Sequence, residues 1–335
     1  MQISVVIPTC DRKQRLLSLL HNLDQSSYPV HEVIIVDSGN DKLLPADYGI
    51  FKNISILYLE SERSVCIQRN TGIANAGTPW IFLCDDDIEP PADYLAKIVA
   101  HIDSHPEAVA VSGVWMQSEK DQWVSEYPVR STRELAWKYI FQLSIWGKID
   151  CKDNFISRRL KKYYNRKGNH ISKAGWPVIT DFSGSFFTTP LYSLGASVIK
   201  KEWLERFPYD EVLDSHGIGD NYGVAINFPP NSIHVLNNTF VFHHREPLNR
   251  LQKPLQYFRR SLVLDYFIRT NKNLRHVKKI CLLWSLKGNL LAFILAGDRK
   301  MIRAGFKTLL AVAFKKNPYL KRSFSLKKIA EPEFS

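Results

Sequence analysis

Trp80-Ile81-Phe82-Leu83-Cys84-Asp85-Asp86-Asp87 sets a short apolar run directly before three carboxylates. The run has the length of a buried strand, and the acids begin where it ends. Residues 3–7 form an equivalent β-branched run closed by Pro8. Residues 33–36 form another, stopped by Asp37-Ser38-Gly39-Asn40, and residues 54–59 a further one. Between them, residues 15–23 carry Leu16, Leu19, Leu20 and Leu23 at helical spacing. Residues 65–76 read as a second helix, and Pro90-Pro91 opens a third that runs to Ala100. Strand and helix alternate, which predicts an α/β protein with a doubly wound parallel sheet over about the first 110 residues.

In such sheets ligands bind beyond the carboxyl ends of the strands. Pro8-Thr9-Cys10, Asp37-Ser38 and Asp85-Asp86-Asp87 all stand at such ends, so three polar clusters converge on one edge. Consecutive carboxylates repel one another unless a cation sits among them. A divalent ion with oxygen ligands, Mg²⁺ or Mn²⁺ sharing its shell with substrate phosphates, is the natural partner. The competing reading is an acidic turn at the start of the next helix, whose N-terminus favours anions. The position at the sheet edge favours the metal.

Four motifs follow one another in order: Ser4-Val5-Val6-Ile7-Pro8-Thr9 with Arg12; Val33-Ile34-Ile35-Val36-Asp37-Ser38-Gly39; Gln68-Arg69-Asn70-Thr71-Gly72-Ile73-Ala74; and Phe82-Leu83-Cys84-Asp85-Asp86-Asp87. Together they resemble glycosyltransferase family 2, of the type that builds bacterial surface polysaccharides. The resemblance covers residues 3–92 and continues more weakly to about residue 246. It implies a GT-A fold (a Rossmann-like, mostly parallel central sheet flanked by helices) and an inverting transfer. Asp85 and Asp87 match the family's DxD motif. By that match Asp87 binds the metal on the donor diphosphate, and Asp85 faces the donor ribose or sugar and is a second metal candidate. Asp86 joins the donor-binding set. Pro8, Thr9, Asp37 and Ser38 fall on the nucleotide pocket. Many relatives carry Asp-Asp or Asp-Asn at the place of Asp37-Ser38, so the bound base stays open. Arg69, also on the donor side, is expected to brace the DxD strand.

An inverting transfer needs a general base on the acceptor hydroxyl. Gly217-Ile218-Gly219-Asp220-Asn221 resembles the family's late acidic motif, with Gly219 where Glu is usual. That match makes Asp220 the candidate base, with Glu211 and Asp214 as fallbacks. The competing reading is that Asp220 caps the following helix. His243-His244 follows an apolar stretch at residues 239–242. In a number of metal-dependent GT-A enzymes a His after the last core strand completes the metal shell, so either histidine is a candidate ligand.

Charge divides the chain. Residues 1–245 carry 25 Lys/Arg and 28 Asp/Glu, whereas residues 246–335 carry 20 and 5, a net of +15. The tail mixes these cations with apolar residues at helical spacing: Ile280, Leu283, Trp284, Leu291, Ile294 and Leu295, then Ile302, Phe306, Leu309 and Leu310. Such basic amphipathic helices lie well on an anionic membrane surface; the competing reading is a helical subdomain packed on the catalytic core with a solvated basic face. No recognised nucleic-acid motif is present, so no nucleic-acid partner is expected. The basic stretch at residues 158–167 reads as a solvated loop. Five cysteines without metal-ligand spacing, no signal peptide and no apolar run of spanning length point to a reducing compartment.

The expected organisation is a catalytic domain over 1–246 and a basic helical region over 247–335. Within the domain, 1–110 is the nucleotide-sugar half and 111–246 the acceptor half. The expected protein is a metal-dependent hexosyltransferase, peripheral on the cytoplasmic face of a membrane. Its partners are a UDP-, dTDP- or GDP-linked sugar and a glycan or lipid-linked acceptor. The alternatives are a non-catalytic membrane-associated scaffold with this fold, or a sugar nucleotidyltransferase. The latter needs a Gly-rich phosphate loop where this chain has Pro8-Thr9-Cys10-Asp11.

Overall fold

The structure, a computed structural model, describes residues 1–119, 122–213, 215–244 and 251–321. In chain order the elements begin β1 (Ile3–Thr9), α1 (Lys13–Asp24), β2 (Glu32–Asp37), α2 (Pro45–Tyr48), β3 (Ile56–Glu60), α3 (Val65–Asn75) and β4 (Trp80–Cys84). Then come β5 (Ile88–Glu89), α4 (Tyr94–Ser104), β6 (Ala110–Glu119), β7 (Gln122–Val124), α5 (Thr132–Ile140), β8 (Ile145–Trp146) and α6 (Phe155–Lys167). They continue with β9 (His170–Ile171), β10 (Pro177–Ile179), β11 (Phe186–Thr189), β12 (Ala196–Lys200), α7 (Lys201–Arg206), α8 (Asp220–Ala225) and β13 (Ile233–His243). The last helices are α9 (Lys253–Thr270), α10 (Lys279–Leu295) and α11 (Arg299–Ala313).

The chain divides into two units. The first comprises Met1–Ser125, Ser183–Glu211 and Ser215–Pro247. It holds a sheet in the order β11-β13-β6-β12-β4-β1-β2-β3, with β5 beside β13 and β7 beside β6. Strands β3, β2, β1 and β4 are mutually parallel, as the continuous apolar runs predict. β12 enters antiparallel between β4 and β6, so the sheet is mixed. β1 is buried along its whole length, and α1 packs over it through the predicted Leu16, Leu19, Leu20 and Leu23. Helix α3 lies close on β1 at Gly72: a Cβ there would meet Val6 Cγ1 at 2.4 Å. The glycine of the third motif is thus a packing requirement. This is a GT-A fold.

The second unit comprises Glu126–Phe182, Val212–Asp214 and Leu248–Ser335. A small sheet, β8-β10-β9, and a cluster around Leu135, Ile145, Tyr164 and Val178 organise its first part. Residues 158–167, expected as a loop, lie within α6. Asn154 and Ser157 form a reciprocal cap. Tyr164 is buried, and Leu160 and Tyr163 pack against the same cluster. The density of charge hid that apolar spacing. In the first unit, helix α4 begins at Tyr94, after Pro90-Pro91, and runs past Ala100 to Ser104.

Candidate active site

The carboxyl ends of β1, β2 and β4 meet at one edge of the first unit, and the acids after β4 divide between two arginines. Arg12, just after β1, places Nη1 2.7 Å from Asp86 Oδ1 and 3.2 Å from Asp87 Oδ2. The Thr9 hydroxyl donates to Asp86 Oδ2 at 2.7 Å. Burial pushes the Asp86 carboxyl up, while Arg12 pulls the other way. Burial also opposes the charge of Arg12, but Asp86 and Asp87 outweigh it and the guanidinium stays protonated.

The second cluster centres on Arg69 of α3, which is buried. Its Nη2 donates to Asp85 Oδ1 at 2.6 Å, and its Nη1 pairs with Asp220 Oδ2. The Tyr209 ring lies 5.0 Å from the guanidinium, a cation–π contact. Asp220 is the first residue of α8, after Gly219 at φ +89°. The cap position is therefore Gly219, and that left-handed backbone favours glycine there over the family's Glu. The Asn221 amide donates to Asp220 Oδ1 at 2.5 Å. Burial pushes the Asp220 carboxyl up to about 6, with Arg69 holding it down.

Asp85 is seated from below. Its amide donates to the Gly195 carbonyl at 2.8 Å, and a Cβ at Gly195 would fall 2.1 Å from Asp85 Oδ2. At the β2 end, Asp37 accepts from the Gly39 amide at 2.7 Å and from the Tyr58 hydroxyl at 2.6 Å. Burial and that carboxylate raise the Tyr58 pKa, so the phenol keeps its proton. Gln68 ties the strand ends together, donating to Thr9 O and Val36 O at 2.7 Å each. Pro8 lies in the buried β1 strand, and Ser38 sits beside the Cys10 thiol.

The two histidines part company. His243, the last residue of β13, has Nε2 3.3 Å from Asp87 Oδ1, with the Trp115 ring at 4.8 Å. His244 turns to Glu89, Nε2 to Oε2 at 2.6 Å, while its amide donates to the Asp87 carbonyl. Of the fallback bases, Glu211 accepts from Asn70 Nδ2 at 2.9 Å, and Asp214 lies outside the described residues.

Among the described residues no group of three or more His, Cys, Asp or Glu is arranged to hold a metal ion. The donor set nevertheless fits an ion that brings its own ligands. Two cis ligands of an octahedral ion at about 2.1 Å stand about 3 Å apart, close to the Asp87–His243 separation.

Arg12, Tyr58 and Gly195 escaped the residue-by-residue reading. Arg12 stood in the first motif without a role. Tyr58 is one residue of an ordinary strand pattern, and Gly195 arrives from 110 positions downstream with no local signal.

The model of glycosyl transferase family 2 matches residues 4–176, just over half of the chain. An uncharacterized glycosyltransferase, YwdF of Bacillus subtilis, is 29% identical over 118 residues, covering 33% of this chain and 44% of that protein. A glucosyl-dolichyl phosphate glucuronosyltransferase of Haloferax volcanii is 22% identical over 177 residues, 51% of this chain and 52% of that protein. The chain thus spans about half the length of these relatives. Among solved structures, S. aureus TarS 1–349 in complex with UDP-GlcNAc superposes with a TM-score of 0.53 at 13% identity, over 93% of this chain and 81% of that one. Family match, fold and the acidic motif at the β4 end agree: the chain belongs to glycosyltransferase family 2.

Proposed function

We propose that the chain is an inverting, metal-dependent transferase that moves one sugar from a UDP-, dTDP- or GDP-linked donor to a hydroxyl of a glycan or lipid-linked glycan, in surface polysaccharide synthesis. The observation that carries this reading is the pair of clusters, Arg12–Asp86–Asp87–His243 and Arg69–Asp85–Asp220, side by side at the sheet edge. The lipid phosphate in the name of the Haloferax volcanii relative supports a lipid-linked acceptor. The net charge of +15 over residues 246–335 supports an anionic membrane, at its cytoplasmic face, as the place where that acceptor is met. In this division of labour residues 1–110 bind the donor, 111–246 the acceptor, and 247–335 the membrane.

Pro8, Thr9, Asp37 and Ser38 line the nucleotide side, and Asp85 faces the ribose or sugar. Asp87 and His243 would hold Mn²⁺ or Mg²⁺, with diphosphate oxygens and water filling the shell; when bound, the ion supplies charge stabilisation for the departing diphosphate. Arg12, already against Asp86 and Asp87, adds a fixed positive charge at the same place. Asp220 takes the acceptor proton as the hydroxyl oxygen bonds to the anomeric carbon. The bond from that carbon to the diphosphate oxygen breaks, and the nucleoside diphosphate leaves with the electron pair. A carboxyl raised to about 6 is ionised at neutral pH and a better base than an exposed Asp.

A panel of UDP-, GDP- and dTDP-sugars with Mn²⁺ tests the reading by thermal shift and slow donor hydrolysis. Stabilisation by one nucleotide class, abolished by EDTA, is the expected result. No response to any donor favours the scaffold alternative. Asp87→Ala is expected to lose on the order of 100-fold in turnover with an unchanged circular dichroism spectrum. Gly195→Ala tests the seat of Asp85. The added methyl displaces that carboxylate, and a misplacement of that size lowers kcat on the order of tenfold or more, read in steady-state kinetics beside a thermal melt.

A further inference from the structure

Helix α10 is apolar on two opposite sides. One side is buried through Leu282, Ser285, Leu286 and Gly288. The other exposes Ile280, Trp284, Leu291, Ile294 and Leu295, which recur at i, i+4, i+11, i+14 and i+15 and so form one stripe along the helix. Ile280 is 72% exposed and Leu295 78%, values that set them apart from core residues. Helix α11 adds a second stripe, with Phe306, Leu310 and Phe314 exposed at four-residue intervals. Gly305 lets α11 approach Leu290 and Phe293 of α10 closely. Between the stripes runs a groove of about 580 Å³, lined by Ile280, Leu283, Trp284, Leu310 and Phe314, with Lys287 beside them. An exposed apolar surface of this extent marks an interaction site.

The charge around it identifies the occupant. Residues 272–316 carry eleven Lys/Arg and a single acid, Asp298. Two copies of the chain meeting through this face would bring the same cations together. An anionic lipid surface neutralises them and accepts the apolar stripes at once. Lys287, on the stripe at i+7 from Ile280, has the reach to extend its ammonium to the headgroups while its stem lies among acyl chains. At 17 residues the helix is about 25 Å long, short of the roughly 30 Å hydrocarbon core. No described helix is long and apolar enough to cross a membrane. We infer that the α10–α11 hairpin lies in the plane of an anionic phospholipid bilayer with Ile280, Trp284, Leu291, Ile294, Leu295, Leu310 and Phe314 inserted among the acyl chains. This rests on the membrane part of the proposed function and sharpens it from attraction by charge to insertion by a named surface.

The test uses the full chain with phosphatidylcholine vesicles, with and without phosphatidylglycerol, at low and high salt. Flotation is expected with the anionic vesicles, in part resistant to salt. Brominated acyl chains are expected to quench tryptophan fluorescence, and Trp284→Phe to remove most of that quenching. Ile294→Ser/Leu295→Ser alters exposed positions without changing charge, and is expected to weaken vesicle binding on the order of tenfold or more. Binding that disappears at high salt, shows no quenching and ignores the serine variant overturns insertion, and leaves a purely electrostatic membrane reading standing. No binding to any vesicle overturns both; a dimer in sedimentation would then assign the face to a second copy. Donor hydrolysis, measured in parallel, reports on the transferase reading separately.

Discussion

Asp220→Asn is expected to lower turnover by about 10³-fold, the weight of a well-placed general base, while donor-induced stabilisation stays within about twofold of the parent. Asparagine keeps one oxygen for the Asn221 amide but turns an NH2 towards Arg69 in place of Oδ2. The ion pair is therefore lost together with the ability to take a proton, and a thermal melt recorded beside the kinetics separates the two losses. The parent enzyme carries a second signature. Burial raises the Asp220 carboxyl to about 6, and the reactive form is the carboxylate. Turnover per unit donor should therefore climb as pH rises towards 6 and level off above it. In Asp220→Asn that acid limb should vanish from whatever rate remains. An acid limb that survives the substitution would move the base elsewhere, and Glu211, hydrogen-bonded to Asn70, would be the next residue to replace.

The donor half of this site was legible because its parts are local. An apolar run stopped by polar residues, as at residues 80–87, reads as strand and strand end without tertiary information, and β1, β2 and β4 all have that form. The parallel order then puts Thr9, Asp37 and Asp85 on one edge. The pairings among these groups were not legible. Arg69 and Asp220 are 151 positions apart, and nothing local to either shows that they meet. The same holds for Arg12 with Asp86 and for His243 with Asp87, where β13 must first run the length of β6 before its last residue arrives. The choice between two adjacent histidines followed from strand alternation: His243 faces Asp87 and His244 points the other way, to Glu89. In the tail, helical spacing named the exposed stripe of α10, Ile280, Trp284, Leu291, Ile294 and Leu295, but not its second, buried side through Leu282 and Leu286. A helix with two apolar sides looks in sequence like one that is buried all round.

Arg69→Met is expected to destabilise the first unit by about 3–5 kcal/mol, the cost of removing one partner from a buried ionic group, or about 10 °C in Tm. The guanidinium is the shared counter-charge of Asp85 and Asp220. Methionine fills its volume and leaves both carboxylates facing each other without it. Arg69→Lys should fall between parent and Met, because a single ammonium cannot bridge two carboxylates as a fork does. The pH dependence separates this role from packing. Asp220 binds its proton more tightly in the folded state than in the unfolded one, where its pKa is near 3.8. Its contribution to stability is therefore complete below that value and declines as pH rises through about 6. Without Arg69, which holds the carboxyl down, the folded pKa moves higher and the decline extends to higher pH. The Tm deficit of Arg69→Met should accordingly be larger at pH 8 than at pH 5, and the acid limb of any residual activity should shift to higher pH. A deficit that is the same at both would reduce Arg69 to a packing residue. A deficit that widens with pH would show one buried cation setting both the seat of Asp85 and the basicity of Asp220.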